Sequence, residues 1–279
     1  MRTGANPFTD PAEVQGPLYA AADRLASRTS ALHRARVSGR HAADVIADLA
    51  DAANPAPAVI ADIGCGRGTT TLTLAGRFPR ARIAAIDLSA ALLTAARNRT
   101  GRPGQAAAVR ADFHRFPLAD RSCNLIVAAF CLYHSPDPAS VITEIARCLT
   151  DNGTAVIAVK SANSYRELDR LMAASGLDPA AGSRPSLYQA AHSGNITAIA
   201  ETGLTVRRAV HETHRFTFPA LADAAEYLAT SPKYDLPPAL AGSADALAAA
   251  FAARLPDRPV TATSVVTYLV AGPKPGTHR

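Results

Sequence analysis

Val59-Ile60-Ala61-Asp62-Ile63-Gly64-Cys65-Gly66-Arg67-Gly68 is the stretch on which the reading of this chain turns. Its first residues form a short, continuous apolar run, the pattern of a strand buried on both faces. Three glycines at alternate positions follow. They let the backbone turn sharply and let a ligand approach without Cβ clashes. A loop at the carboxyl end of such a strand is where doubly wound sheets bind ligands. The spacing is G-x-G-x-G, unlike the dinucleotide fingerprint G-x-G-x-x-G, and no Gly-Lys-Ser/Thr of a phosphate loop is present. Asp62 stands two residues before the first glycine. A carboxylate there suits a ligand with a cationic group and sits badly beside a pyrophosphate.

Outward from this stretch, strands and helices are predicted to alternate. Arg82–Asp87 reads as a second strand, Ala106–Asp112 as a weaker third, Leu125–Phe130 as a fourth and Thr154–Lys160 as a fifth. Ser89 caps a helix carrying Leu92, Leu93 and Ala96. Asp137-Pro138 opens another with Val141, Ile142, Ile145 and Leu149 inward, and Asn152-Gly153 closes it. Thr69-Thr70-Thr71-Leu72-Thr73-Leu74-Ala75 has strand propensity, yet a helix there completes a strand–turn–helix unit. Residues 12–53 read as helix up to the break at Asn54-Pro55-Ala56-Pro57. After residue 160, Ser164–Ala174, Leu187–Thr202, Ala220–Ala229 and Ala239–Leu255 read as helices, and Leu204–Phe218 and Thr261–Val270 as strands.

Two more carboxylates end strands in this series. Asp87 can accept hydrogen bonds from both hydroxyls of a ribose, and Asp112, followed by Phe113, can receive an adenine amino group. The ligand implied is a nucleoside that bears positive charge and no phosphate.

The 279 residues are 48% hydrophobic and 19% charged, enough for one large or two small globular domains and too apolar for wholesale disorder. The longest apolar run, near residues 124–133, is far short of the roughly 20 residues that span a bilayer, so no membrane partner is expected. Residues 1–11 hold no apolar leader segment. The net charge is +6, but the arginines are scattered and form no block, so no nucleic-acid partner is expected. Cys65, Cys123, Cys131 and Cys148 match no zinc spacing and read as buried, reduced thiols. Together with the missing leader they point to the cytoplasm.

Asp62–Gly68, Ile86-Asp87-Leu88-Ser89, Asp112 with Phe116-Pro117-Leu118-Ala119-Asp120, and Pro136-Asp137-Pro138 through Glu144–Arg147 to Asn152-Gly153 resemble the class I, seven-stranded Rossmann-like S-adenosylmethionine-dependent methyltransferases. They are most similar to the ubiquinone/menaquinone-biosynthesis type and its small-molecule relatives. The resemblance covers residues 55–160 well and the ends poorly. It implies an α/β fold: a doubly wound, mostly parallel seven-stranded sheet with N-terminal helices and a helical lid from C-terminal insertions. The domains expected are an N-terminal helical cap, 1–54, and a methyltransferase domain, 55–279, with lid segments at about 161–203 and 219–258.

The resemblance also implies roles. Gly64, Cys65 and Gly66 pass the methionine part of S-adenosylmethionine, and Asp62 orders that loop or meets the amino group. Asp87 holds the ribose, Leu88 lies against the adenine, Asp112 and Phe113 meet the adenine, and Phe130 lies near the transfer site. Tyr19 and Arg28 are further cofactor-side candidates. His134 is the candidate general base, its bland alternative being a structural histidine that caps the next helix. Tyr133, Tyr165, Tyr188, Lys233 and Tyr234 are candidates for the acceptor side. The sequence departs from the family at Asn124, where Asp is usual, and at Tyr133-His134, where a His-His pair is common. Ala129-Phe130 replaces the carboxylate of metal-dependent catechol-type relatives, so no metal is expected.

The implied activity is methyl transfer to O, N or C of a small molecule, in secondary-metabolite or antibiotic biosynthesis. Two rivals are a nicotinamide-dinucleotide oxidoreductase, against which the loop spacing and Asp62 argue, and a catalytically silent cofactor-binding protein. A homo-oligomer, paired through the N-terminal helix, is left open.

Overall fold

The computed structural model describes residues 6–16, 18–19, 22–100 and 104–275. Residues 1–5, 17, 20–21, 101–103 and 276–279, which include part of the stretch read for a leader and part of the predicted N-terminal helix, lie outside the described residues. In chain order the elements begin with α1 (Pro11–Gln15), α2 (Ala22–Ala35), β1 (Arg36–Ser38), α3 (Ala42–Ala53), β2 (Val59–Ile63), α4 (Thr69–Arg77), β3 (Arg82–Asp87), α5 (Ala90–Thr100) and β4 (Ala106–Arg110). They continue with β5 (Cys123–Ala129), α6 (Pro138–Cys148), β6 (Leu149–Lys160), α7 (Arg166–Ala174), α8 (Ile196–Ala200), β7 (Leu204–Phe218), α9 (Leu221–Leu228), α10 (Ala244–Ala252) and β8 (Val260–Pro273).

The chain divides into two compact units. One, here the sheet unit, is Arg40–Ser161, Ala190–His211 and Val266–Arg279. The second is Met1–Gly39, Ala162–Gln189 and Glu212–Val265. In the sheet unit the strand order is β7-β8-β6-β5-β2-β3-β4. Pairs β2–β3, β3–β4, β2–β5 and β5–β6 are parallel, and β6–β8 is antiparallel. The order reverses between β2 and β5, so a crevice opens there beyond the carboxyl ends.

Helical burial explains why the threonine-rich segment became α4. Thr71, Leu74, Ala75 and Phe78 recur at helical spacing and are all buried. Leu74, Ala75 and Phe78 pack with Val45, Ile46 and Leu49 of α3 around Ile60, Leu125, Val127, Val156 and Tyr268. Burying that stripe outweighs the β-branched preference of its threonines. The Ser89 cap is present, its Oγ accepting from the Leu92 amide at 3.2 Å. Asp137 caps α6 with Pro138 in the first turn.

Several expectations need correction. The sheet has eight strands and not seven, because β1 pairs antiparallel with the end of β7, Arg36 opposite Phe216. The predicted helix 12–53 is broken by β1 and by Gly39, whose φ is +91°. A Cβ on Gly39 would meet the His214 ring at 2.7 Å. Helix α6 stops at Cys148 and not at Asn152-Gly153, because Leu149 already pairs with Cys123. Gly153 serves close approach instead: a Cβ there would lie 2.9 Å from Leu149 Cδ2 and 3.2 Å from the Cys123 carbonyl oxygen. Of the helix expected at Leu187–Thr202 only α8 forms, and the one expected at Ala239–Leu255 is α10 alone. Strand β8 is longer than expected, and β4 ends at Arg110, two residues before Asp112.

Asn124 explains its own departure from the family pattern. Its Oδ1 accepts the amides of Ala58 (3.2 Å) and Val59 (3.0 Å) where β2 begins. The task needs only an acceptor oxygen, which Asp also supplies. Asn124→Asp should therefore change stability little, whereas Asn124→Ala strands two donors and should cost about 1–2 kcal/mol in urea denaturation. Equal stability of the two variants would contradict this role.

Candidate functional site

The quoted stretch folds into β2 and a turn that leads into α4, and its glycines are all left-handed, with φ of +60° at Gly64, +55° at Gly66 and +75° at Gly68. Each has its own reason. A Cβ on Gly64 would lie 2.4 Å from Cys131 Cβ, so this glycine lets the loop after β5 close on it. A Cβ on Gly68 would meet Ala96 at 2.9 Å, so this one lets α5 pack. Gly66 offers its amide to Asp87 Oδ2 at 2.9 Å. Asp87 Oδ1 meanwhile accepts the Ser89 amide at 2.9 Å. One carboxylate at the tip of β3 thus fixes the glycine loop and the start of α5. Its burial raises its pKa, and those amides oppose the rise.

Asp62, 1% exposed, lies beneath the loop. Thr71 Oγ1 donates to its Oδ2 at 2.5 Å, tying β2 to the first turn of α4. Its Oδ1 is buried and has no hydrogen-bond partner among the described residues. Burial pushes the carboxyl up to about 7, the Thr71 hydrogen bond opposes this, and the charge of Asp87 adds to it. The Cys65 and Cys131 thiols are also driven far up, first by burial and then by Asp62 and Asp87. They stay protonated and offer no nucleophile.

Asp112 stands past the end of β4, exposed, with Oδ1 taken by the His114 amide (2.9 Å) and His114 Nδ1 (2.6 Å). His114 Nε2 meets Ser135 Oγ at 2.8 Å, and Ser135 Oγ accepts the Asp137 amide at 3.0 Å. His114 therefore bridges the loop after β4 to the loop after β5. Sequence reasoning missed it, because the partners lie 21 residues apart and no local motif marks them. The Phe113 ring lies tilted against the His114 ring, centroids 4.7 Å apart, and the Leu88 carbonyl accepts from Arg110 Nε.

At the end of β5, Phe130 holds a left-handed φ of +57° although it is no glycine. Such strain persists where its surroundings over-determine it. Its amide donates to the Ala158 carbonyl at 2.8 Å, and its ring carries Lys160 Nζ at 5.7 Å from the centroid. Tyr133 and His134 follow in a single tight turn, their rings 4.8 Å apart. The sheet unit thus gathers Asp62, Gly64, Cys65, Gly66, Asp87, Leu88, Asp112, Phe113, Phe130, Tyr133 and His134 around its carboxyl-end loops. Lys160 joins them and was missed.

Tyr19, Arg28, Tyr165, Tyr188, Lys233 and Tyr234 belong to the second unit. Arg28 and Tyr234 line one cavity of about 100 Å³ together with Glu13, Ser231 and Asp235. Asp169 on α7 receives both Lys233 Nζ (2.6 Å) and the Tyr234 hydroxyl (3.0 Å), an internal network of that unit. Tyr165, at φ +65°, packs its ring 5.6 Å from Phe216 and from Tyr227, and Tyr188 lies against Phe8. Among the described residues no group of three or more His, Cys, Asp or Glu could hold a metal ion, and no helix is long and apolar enough to cross a membrane.

Residues 61–157 match the family described as "Methyltransferase domain". The malonyl-[acyl-carrier protein] O-methyltransferase of Laribacter hongkongensis is 29% identical over 181 residues, 62% of this chain and 58% of that protein. The trans-aconitate 2-methyltransferase of Methylobacterium radiotolerans is 35% identical over 125 residues, 43% of this chain and 46% of that protein. The match thus spans about half the length of these curated relatives. The solved structure of the YcgJ protein from Bacillus subtilis is 13% identical, covers 84% of this chain and 99% of its own, and has a TM-score of 0.52, a likeness of fold alone.

The raised pKa of Asp62 sets a pH dependence. Between the ordinary value of 3.8 and about 7 the folded sheet unit keeps a proton that the unfolded chain has released. The contribution of this group to stability is full at the acid end of that window and is lost as pH rises through it. Denaturation of the ligand-free protein from about pH 5 to about pH 8 should show a decline that Asp62→Asn flattens. Parallel profiles would show that Asp62 is not the group responsible.

Proposed function

We propose that this chain, whose residues 61–157 match the family described as "Methyltransferase domain", moves a methyl group from S-adenosylmethionine to an oxygen of a small organic acceptor. The observation that carries this reading is the pair of carboxylates at the tips of β2 and β3, one with a buried unpartnered oxygen and one clamping the glycine loop. Asp62 Oδ1 suits an ammonium donor such as the amino group of the methionine part. Asp87 accepts the Gly66 amide on one oxygen and the Ser89 amide on the other, and a carboxylate has about four acceptor sites, which leaves capacity for a ribose hydroxyl. Gly64, Cys65 and Gly66 would pass the methionine chain, and Leu88, Asp112 and Phe113 would hold the adenine.

When bound, S-adenosylmethionine supplies a methyl group on a positively charged sulfur that leaves as a neutral thioether. The chain has little bond chemistry of its own to perform, and its part is proximity and alignment. Phe130, held in its strained turn, would wall the transfer site against water. His134 would take a proton wherever the acceptor begins protonated. Tyr133 is proposed for the acceptor side, and the second unit, with Tyr165 and Tyr188, for acceptor selection. Lys233 and Tyr234 would have to leave Asp169 to take part.

Both relatives are named for methylating molecules with carboxyl groups, one of them as an O-methyltransferase. This supports a carboxyl oxygen over nitrogen or carbon. Four free, buried cysteines suit a reducing cytoplasm. A tailoring role in secondary metabolism remains part of the proposal, as does action on a small molecule without nucleic acid.

Calorimetric titration of S-adenosylmethionine into the whole chain tests the reading. Asp87→Ala should weaken binding by about 2 kcal/mol, roughly 30-fold, through the lost charge-assisted hydrogen bonds. No binding at about millimolar cofactor, beside binding of a nicotinamide dinucleotide, would overturn it.

A further inference from the structure

We infer that His114 is a positioning residue for the cofactor's adenine, holding Asp112 so that its second carboxylate oxygen, Oδ2, faces the adenine 6-amino group. This rests on the methyl-transfer reading above and adds the residue that orients the adenine contact.

The loop after β4 is pinned at both ends. The Ala111 amide donates to the Asp87 carbonyl at 3.1 Å. The Phe116 amide donates to Glu144 Oε1 at 2.7 Å, and Arg147 Nη2 donates to the Phe116 carbonyl at 3.3 Å. Between these pins, among the described residues, His114 is the one side chain of residues 112–115 that hydrogen-bonds another segment.

Its partners fix the ring. A carboxylate only accepts, so the 2.6 Å contact with Asp112 Oδ1 assigns the proton to Nδ1. Nε2 then accepts the Ser135 hydroxyl at 2.8 Å, and Ser135 Oγ accepts the Asp137 amide at 3.0 Å. Every donor in this row has an acceptor.

The consequence falls on Asp112. Its Oδ1 takes both the His114 amide, at 2.9 Å, and Nδ1. Its Oδ2 has no partner among the described residues, and the side chain is 57% exposed. The terminal torsion of an aspartate is broad, so a backbone amide alone leaves the carboxylate free to swing. The ring, anchored in turn by Ser135, stops that motion and points Oδ2 one way. An acceptor oriented before the ligand arrives loses less freedom on binding. Adenine offers a donor, its 6-amino group, and the open oxygen suits it.

Ser, His and Asp joined in this order also make up a hydrolytic triad. Ser135 is 0% exposed and its Oγ already accepts an amide, so no substrate carbonyl reaches it. The row therefore positions and does not attack.

The test is calorimetric titration of the whole chain with S-adenosylhomocysteine and with its analogue carrying hydrogen in place of the 6-amino group. The unaltered protein should prefer the amino compound about tenfold or more. His114→Ala should raise the Kd of the amino compound about fivefold or more while that of the analogue stays within about twofold. His114→Asn, whose amide reaches the place of Nδ1, should recover much of the preference, and His114→Gln, whose amide reaches the place of Nε2, should not. Ser135→Ala keeps the ring, removes only its anchor, and should shrink the preference in the same direction, which serves where His114→Ala does not fold. An equal loss for both compounds in the folded variants, an unchanged Kd for the amino compound, or an unaltered protein that binds the two equally would overturn the inference. Failure of the unaltered protein to bind either compound would instead sink the methyl-transfer reading beneath it.

Discussion

Asp87 accepts the amide of Gly66 with one oxygen and that of Ser89 with the other, and so joins the glycine loop after β2 to the start of α5. Two separate strand–turn–helix units become one rigid edge through a single side chain. The Cys65 amide adds a bond to the Ile86 carbonyl on the same strand. A loop with three left-handed glycines would lose much conformational entropy on ordering, and this clamp offsets that cost. Asp62 repeats the device one strand away, binding Thr71 of α4 while its second oxygen has no partner among the described residues. Two carboxylates on adjacent β-tips repel, which is one reason that the pKa of the buried one is raised and one reason that a cation belongs near them.

The second feature that organises the sheet unit is the end of β5. Gly64 has no Cβ because Cys131 occupies that space, so the first glycine loop and the loop after β5 are fitted to each other. Phe130 takes its strained conformation at that junction and faces Lys160. His114 then ties the same loop, through Ser135, to Asp112 beyond β4. The glycine loop, the loop after β4 and the loop after β5 are thus linked through side chains.

The curated relatives match about half of their own length, and the solved structure shares the fold at low identity. The family match, residues 61–157, lies within the sheet unit. The second unit has its own chemistry: a buried Asp169 that collects Lys233 and Tyr234, and a small cavity beside Arg28. A fold of this kind carries many activities, so the substrate is argued from side chains and not from architecture.

The amino-acid pattern by itself determined the alternating strands and helices, the glycine turn, the Ser89 and Asp137 caps and the carboxylate at the end of β3. These are local properties, written in polarity, backbone freedom and spacing over a dozen residues. The threonine-rich helix was reached only through its strand–turn–helix context, since its own residues favour a strand. Strand β1 and the early end of α6 at Cys148 were not legible, because pairing with distant strands overrode local preference; the helices expected after residue 186 form only in part. The same holds within the site. Which amides Asp87 receives, which oxygen of Asp62 goes without, how Phe130 is turned and that His114 reaches Ser135 depend on groups far apart in the chain. Only the packed sheet brings them within hydrogen-bond range, and no local pattern can specify a contact whose other half has not yet been placed.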